Sequence, residues 1–257
     1  MDQKIAERPA KIFISHSSQD IEFVQPLVTL FGSMGLNSEN MFCSSVPGYN
    51  VPLDKNIFDY LKMQFKNYYL HVIFVLSENY YNSAACLNEM GAAWILQHKY
   101  TSVLIPQFEF HNIKGAIDPM RISIKLDAEK YELKDRLNQL RNEIIDEFHL
   151  VASLSQQSIW ECHRDEFIRK VNSGEVYWKQ LNRLKEEKRP FNEWILPLQK
   201  LIQVNPDSCD AIYMLGTIYA ELGDEKMAHK YLKMAGDLSQ NKELDEKINK
   251  KLKQLGI

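Results

Sequence analysis

The sequence predicts an α/β domain with a central parallel sheet over residues 9–150, followed by a small all-helical domain over 159–257. Three observations carry this. From Lys11 to about Leu126 short β-rich runs alternate with helical patterns, the arrangement that builds a parallel sheet covered by helices. His71-Val-Ile-Phe-Val-Leu76 is nearly unbroken apolar chain, as a central strand buried on both faces requires. From Ile159 onward the strand signals stop.

Taken in order, Lys11-Ile-Phe-Ile-Ser15 is the first strand. Asp20 then caps a helix to about Ser33, with Ile21, Val24, Leu27, Val28 and Phe31 near helical spacing, and Gly35 stops it. A second strand near Met41-Phe-Cys43 precedes the loop Ser44 to Pro52, where Pro47-Gly48 and a second proline forbid regular structure. A helix resumes at about Asp54. After the central strand, Ser77 to Asn82 is a polar and aromatic loop, and Ser83 caps a helix to about Lys99. Val103–Pro106 and Ile122–Leu126 supply two further strands, and Glu129 to about His149 is a long charged helix.

The second half reads as helices separated by Lys-Arg-Pro190, Asn205-Pro-Asp207 and Gly223-Asp224. Leu215-Gly216, Tyr219, Gly223, Ala228 and Ala235 have the spacing of one tetratricopeptide (TPR)-like repeat, in which small residues let two helices pack closely. Such helix pairs present a concave surface to a peptide or protein partner. The run Lys242 to Lys253 is interleaved with Glu243, Asp245 and Glu246, and reads as a solvated helix face.

The totals narrow the function. Hydrophobic residues at 45% and charged residues at 25% fit a soluble globular protein, and a net charge of −3 gives no basic stripe for nucleic acid. The charged N-terminal stretch lacks a signal-peptide core and no later segment is apolar enough to span a bilayer, so a cytoplasmic location is expected, with no membrane partner. Cys43, Cys86, Cys162 and Cys209 lack the spacing of a metal site and read as reduced, mostly packing cysteines.

Lys11-Ile-Phe-Ile-Ser-His-Ser-Ser-Gln-Asp20 resembles the opening motif of Toll/interleukin-1 receptor (TIR) domains. The Val46-Pro47-Gly48 loop and the segment Ser77-Glu-Asn-Tyr80…Ser83-Ala-Ala-Cys86-Leu87-Asn88-Glu89 resemble two further motifs of that family, in the same order. The continuation Asn88-Glu-Met-Gly-Ala-Ala-Trp94 is more similar to bacterial members. The resemblance implies a flavodoxin-like fold and an NAD+ glycohydrolase of antiviral defence, releasing nicotinamide with ADP-ribose or a cyclic ADP-ribose isomer. It also implies self-association through TIR domains, NAD+ as substrate and no further cofactor.

In catalytic relatives the glutamate of the Cys-Leu-x-Glu motif is needed for cleavage, and Glu89 takes its place. A carboxylate there stabilises the oxocarbenium-like ribose as nicotinamide departs, and no metal is needed. On a helix, Cys86, Leu87, Met90, Gly91 and Trp94 form one apolar stripe, with Trp94 in the core and Glu89 roughly 120° from the stripe centre. Ser15, His16 and Ser17 either receive a phosphate or ribose or serve ordinary turn chemistry. Pro47, Gly48 and Tyr49 either gate the cleft or simply form a loop, and Tyr80 and Tyr81 either stack on the base or pack. Catalytic relatives in plants and animals often carry tryptophan four residues before the glutamate, where this chain has Ala85, so Tyr49, Tyr80 or Tyr81 would have to cover the ring. The rival readings are a non-catalytic TIR adaptor and a nucleoside-processing transferase on a related fold.

Overall fold

The computed structural model describes residues 8–106 and 108–254, so most of the charged N-terminal stretch and residues 255–257 lie outside the described residues. The chain divides into two compact units, residues 1–172 and 173–257.

The first unit contains five parallel strands: β1 (Ala10–Ser15), β2 (Met41–Phe42), β3 (Tyr69–Leu76), β4 (Lys99–Leu104) and β5 (Ile124–Lys125). Their order is β2-β1-β3-β4-β5, that of flavodoxin-like doubly wound sheets. The helices are α1 (Ile21–Gly32), α2 (Ile57–Asn67), α3 (Glu78–Tyr81), α4 (Ala84–Ile95), α5 (Lys130–Phe148) and α6 (Leu154–Val171). Strand order reverses after β2, so right-handed crossovers place α1 on one face of the sheet and α2 and α4 on the other. β3 pairs with β1 in register Ser15↔Phe74 and with β4 in register Leu76↔Leu104, and is buried from Leu70 to Leu76. This is the central strand that its apolar run predicted.

Several boundaries move for physical reasons. α4 stops at Ile95, short of Lys99, because Gln97 takes a left-handed φ of 55° and turns the chain into β4. β4 then begins at Lys99 rather than Val103, since polar residues in its first half have partners: Lys99 reaches Glu143 and Glu147, and the Thr101 hydroxyl bonds His71 Nε2. α2 starts at Ile57, where the Asn56 side chain accepts from the backbone N–H groups of Phe58 and Asp59. Asp20 occupies the cap position of α1 but makes no capping bond; its carboxylate is used elsewhere.

α6 corrects the boundary expected before residue 159. Trp160, Phe167 and Val171 are buried within the first unit, α6 packs on α1 and α5, and Trp160 Nε1 and Arg164 both donate to Asn138 of α5. Loss of strand signal marks the end of the sheet; the helices that cover the sheet continue past it.

The second unit contains α7 (Gly174–Glu186), α8 (Ile195–Val204), α9 (Cys209–Glu221), α10 (Glu225–Leu238) and α11 (Lys242–Gln254). α9 and α10 form a helix hairpin whose core is Ile212, Leu232 and Ala235, joined by Ile248 of α11. Gly216 lets them close: a Cβ there would meet Leu232 Cγ at 2.9 Å and its backbone N at 3.0 Å. Tyr219 stacks on Tyr231 at 5.7 Å between ring centroids.

Candidate functional site

Ser15 ends β1 and Ser77 follows β3, the two strands between which the sheet order reverses. Doubly wound sheets bind ligands at this switch point, outside the carboxyl ends of the strands. The buried polar side chains gather here. Ser15 Oγ donates to Glu89 Oε2 at 2.6 Å and lies 3.0 Å from the Tyr80 hydroxyl, which in turn donates to the Cys86 carbonyl at 3.0 Å. Beside them Asp20, fully buried, accepts from the Ser77 hydroxyl through Oδ2 and from Asn79 Nδ2 at 2.8 Å through Oδ1. Ser77 Oγ also accepts from the Tyr80 backbone N–H at 2.8 Å. Asp20 thus ties the turn after β1 to the start of α3 and fixes where Tyr80 stands.

Glu89 is presented by the first turns of α4, which Ser83 caps by accepting from the Cys86 N–H. The helix is rotated relative to the stripe the sequence predicts. Cys86, Met90 and Ala93 are buried, whereas Leu87 is 40% exposed and Trp94 64% exposed. At about 100° per residue this puts Glu89 about 70° from the centre of the buried face, closer to the sheet than expected. Burial pushes the Glu89 carboxyl up to about 7, against the Ser15 hydrogen bond, which pulls it down. The neighbouring thiols are pushed the same way by burial, Cys43 to about 12 and Cys86 to about 11, which keeps both protonated at neutral pH and poor as nucleophiles.

A cavity of about 400 Å³ opens between α2 and α4. Ala85, Asn88, Glu89, Ala92 and Leu96 line it from α4, and Phe58, Leu61, Lys62, Phe65 and Lys66 from α2, with Arg8 completing it. Apolar walls, one carboxyl and three cations therefore share one space. Ala85 leaves open the position one turn before Glu89, and the aromatic surface comes from Phe58 and Phe65 across the groove. Among the described residues, no group of three or more His, Cys, Asp or Glu side chains is arranged to hold a metal ion.

Of the residues singled out in the sequence, Ser15, Tyr80 and Glu89 come together. The others have different work. Ser17 Oγ accepts from the Gln19 N–H and caps the short turn Ser18–Asp20. His16 is buried, with Nδ1 3.1 Å from the Ile14 carbonyl; burial lowers its pKa, against that hydrogen bond. Pro47, Gly48 and Tyr49 do not line the α2–α4 cavity. Tyr49 closes its loop by backbone bonds to Cys43 and Val46, and its hydroxyl lies against Gly32 at the end of α1. The Tyr81 hydroxyl is bound to the Lys114 backbone and its ring stacks on Phe108. None of the tyrosines proposed as cover for the missing tryptophan reaches the cavity wall.

Sequence reasoning missed Asp20 as a clamp and α2 as a wall. Lys62 and Lys66, one turn apart on a helix, were a legible sign of a cationic edge. The partners of Asp20 lie 57 and 59 residues away, and nothing local marks them.

No protein-family model matches this chain. It is similar to a protein of Bacillus subtilis (strain 168) described as uncharacterized protein YddK, with 39% identity over 134 residues, or 51% of this chain. The match spans about half that relative's length, 49%.

Proposed function

We propose that this chain is a TIR-type NAD+ glycohydrolase with Glu89 as its catalytic residue. The observation that carries the reading is a half-buried carboxyl at the sheet's switch point, held by a hydroxyl and opening into an apolar cavity edged by Arg8, Lys62 and Lys66. NAD+ asks for these features together: flat apolar surface for its bases, cations for its pyrophosphate, and an anion beside the ribose of the scissile bond.

In the reaction, the C1–N bond of the nicotinamide ribose breaks and its electron pair leaves with neutral nicotinamide. The ionised Glu89 carboxylate, bonded to the ribose hydroxyls, stabilises the positive charge that develops at C1. Water then adds to C1, releasing a proton and giving ADP-ribose. If an adenine nitrogen attacks instead, the product is a cyclic isomer. Asp20 does not touch the substrate; through Ser77 and Asn79 it positions α3 and hence Tyr80.

A second reading, a TIR adaptor without turnover, is favoured by one observation. Leu87, Trp94 and Ile95 leave an apolar strip exposed on α4, at 40%, 64% and 72%. Both readings involve self-association through the α/β unit in the cytoplasm, with the TPR-like helices free to take a protein partner. No helix among the described residues is long and apolar enough to cross a membrane.

Incubation of the full chain with NAD+, with and without a crowding agent, separates them. Nicotinamide release that Glu89→Gln removes is the expected result. No release under any assembling condition, or release that Glu89→Gln leaves intact, overturns the catalytic reading.

A further inference from the structure

The contacts around Glu89 contain a hydrogen count that assigns further roles. Three links run in series from Glu89 Oε2 to Ser15 Oγ at 2.6 Å, on to Tyr80 Oη at 3.0 Å, and on to the Cys86 carbonyl at 3.0 Å. The two hydroxyls between them carry two hydrogens. When Glu89 is ionised, one link must lack a hydrogen. When it is protonated, three hydrogens fill three links in one direction, ending on a carbonyl that only accepts. Ser15 and Tyr80 are both buried, at 1% and 0% exposure, so the chain closes within the protein.

We propose that Ser15 and Tyr80 are positioning residues that hold the resting proton of Glu89, and that reversal of the Ser15 hydroxyl accompanies ionisation when a cationic substrate binds. The inference rests on the reading of Glu89 as the reacting carboxyl. In the resting form Glu89 donates to Ser15, Ser15 to Tyr80 and Tyr80 to Cys86. When the positively charged nicotinamide ribosyl group enters, Glu89 loses its proton to solvent. Ser15 then turns its hydrogen to the carboxylate, a charge-assisted bond stronger than the neutral link it replaces. The raised Glu89 pKa agrees with a protein that favours the neutral carboxyl at rest.

Other groups near the carboxyl do not replace this device. They are Tyr80 on α3, Cys86 on its own helix and Cys43 after β2, with Tyr81 beside Tyr80, His16 beside Cys43 and Asp20 acting on Cys86, and Arg8, Lys62 and Lys66 around the cavity. Among the described residues none of the cations forms an ion pair with Glu89. The hydroxyl chain is its hydrogen-bonded support.

The two substitutions take different links from the two states. Tyr80→Phe removes two links from the neutral state and one from the ionised state, so the Glu89 pKa falls, by roughly half to one pH unit at the usual worth of one hydrogen bond. Ser15→Ala removes two links from the neutral state and one charge-assisted link, about twice as strong, from the ionised state, so the two losses nearly offset each other and the pKa moves little. Both substitutions are small, and Tyr80→Phe keeps the ring contacts with Phe74 and Tyr81.

The test is carboxyl carbon NMR titration of the full chain without NAD+, with the Glu89 resonance identified by its loss in Glu89→Gln. In parallel, the acid limb of kcat/KM for NAD+ is followed. A downward shift in Tyr80→Phe, in the titration and in the acid limb, with a smaller shift in Ser15→Ala, is the expected result. An unchanged or upward titration in Tyr80→Phe overturns the chain, and so does a shift of more than about one pH unit in Ser15→Ala if the tyrosine variant does not fold. The titration needs no turnover, so absence of nicotinamide release would sink the enzymatic reading while leaving the proton chain decided by the NMR result.

Discussion

Two glutamates of the α/β unit are both partly buried on helices, yet their surroundings differ. Glu147 of α5 bonds His71 Nδ1 at 2.9 Å and Lys99 Nζ at 3.1 Å, and Lys99 also reaches Glu143 at 3.0 Å. Burial pushes the Glu147 carboxyl up, but His71 and Lys99 together hold it below the usual range. Glu89 has burial of the same sign but only a hydroxyl against it, and rises to about 7. A carboxylate answered by basic groups at hydrogen-bond distance is committed to the fold. One answered by a hydroxyl and facing a cavity keeps a proton it can lose, which is what a reacting group near neutral pH needs.

The sharpest way to break this comparison is to remove each charge and see what is lost. Glu89→Gln is expected to cut nicotinamide release by at least about 100-fold, the scale of losing one charge-stabilising group, with no fall in Tm. A fall in Tm matching the loss of activity would make Glu89 a structural residue like Glu147.

The pH dependence of stability is the next largest effect, and the two groups have opposite signs. Glu89 titrates near 7 when folded and near 4.5 when unfolded, so the folded chain holds the extra proton between those values and loses stability as pH rises through them. Denaturant unfolding of the wild type relative to Glu89→Gln is expected to fall by up to about 3 kcal/mol from pH 4.5 to 7. The difference between the two chains is the quantity to read, because the lowered pKa of buried His16 adds an opposing slope at acid pH. A flat difference would show that Glu89 is solvated as an ordinary surface carboxylate. Glu147, whose pKa is lowered, contributes stability above about pH 4.5 that is lost as pH falls below it.

Glu147→Ala is expected to cost about 2 kcal/mol at pH 7, because the buried Nδ1 of His71 loses its partner and Lys99 loses one of two. Its effect on NAD+ turnover is expected to be only that of the lost folded fraction. Gly216→Ala serves as a control in the other unit. The added methyl must displace Leu232, backbone included, which costs about 1–3 kcal/mol, while alanine returns about 1 kcal/mol of helix propensity. A net loss of about 1 kcal/mol with no change in either pH slope is expected. A changed slope would mean that the carboxyl signatures report general stability.

How far the site was legible can be judged from α4. Its existence, its Ser83 cap and the position of Glu89 near its start were readable, since capping and periodicity are local. Its rotation was not. Alanines, Cys86, Leu87, Met90, Trp94 and Ile95 put apolar atoms on almost every side of the helix, so no face is singled out by pattern alone. Packing on the sheet chose Cys86, Met90 and Ala93, and left Trp94 exposed.

By itself the sequence determined the kind and order of the elements in the sheet: the apolar run that became β3, the turn chemistry around Pro47-Gly48, and the small residue at 216 that lets two helices close. Each depends on neighbours a few residues away. Only the tertiary structure decided what each element packs against. It assigned α6 to the first unit, drew Asp20 from a cap into a clamp, built a cavity wall from α2, and joined Ser15, Tyr80 and Glu89 across up to 74 residues of chain. A buried polar side chain must find a partner wherever the fold supplies one, and that partner carries no mark in the local sequence.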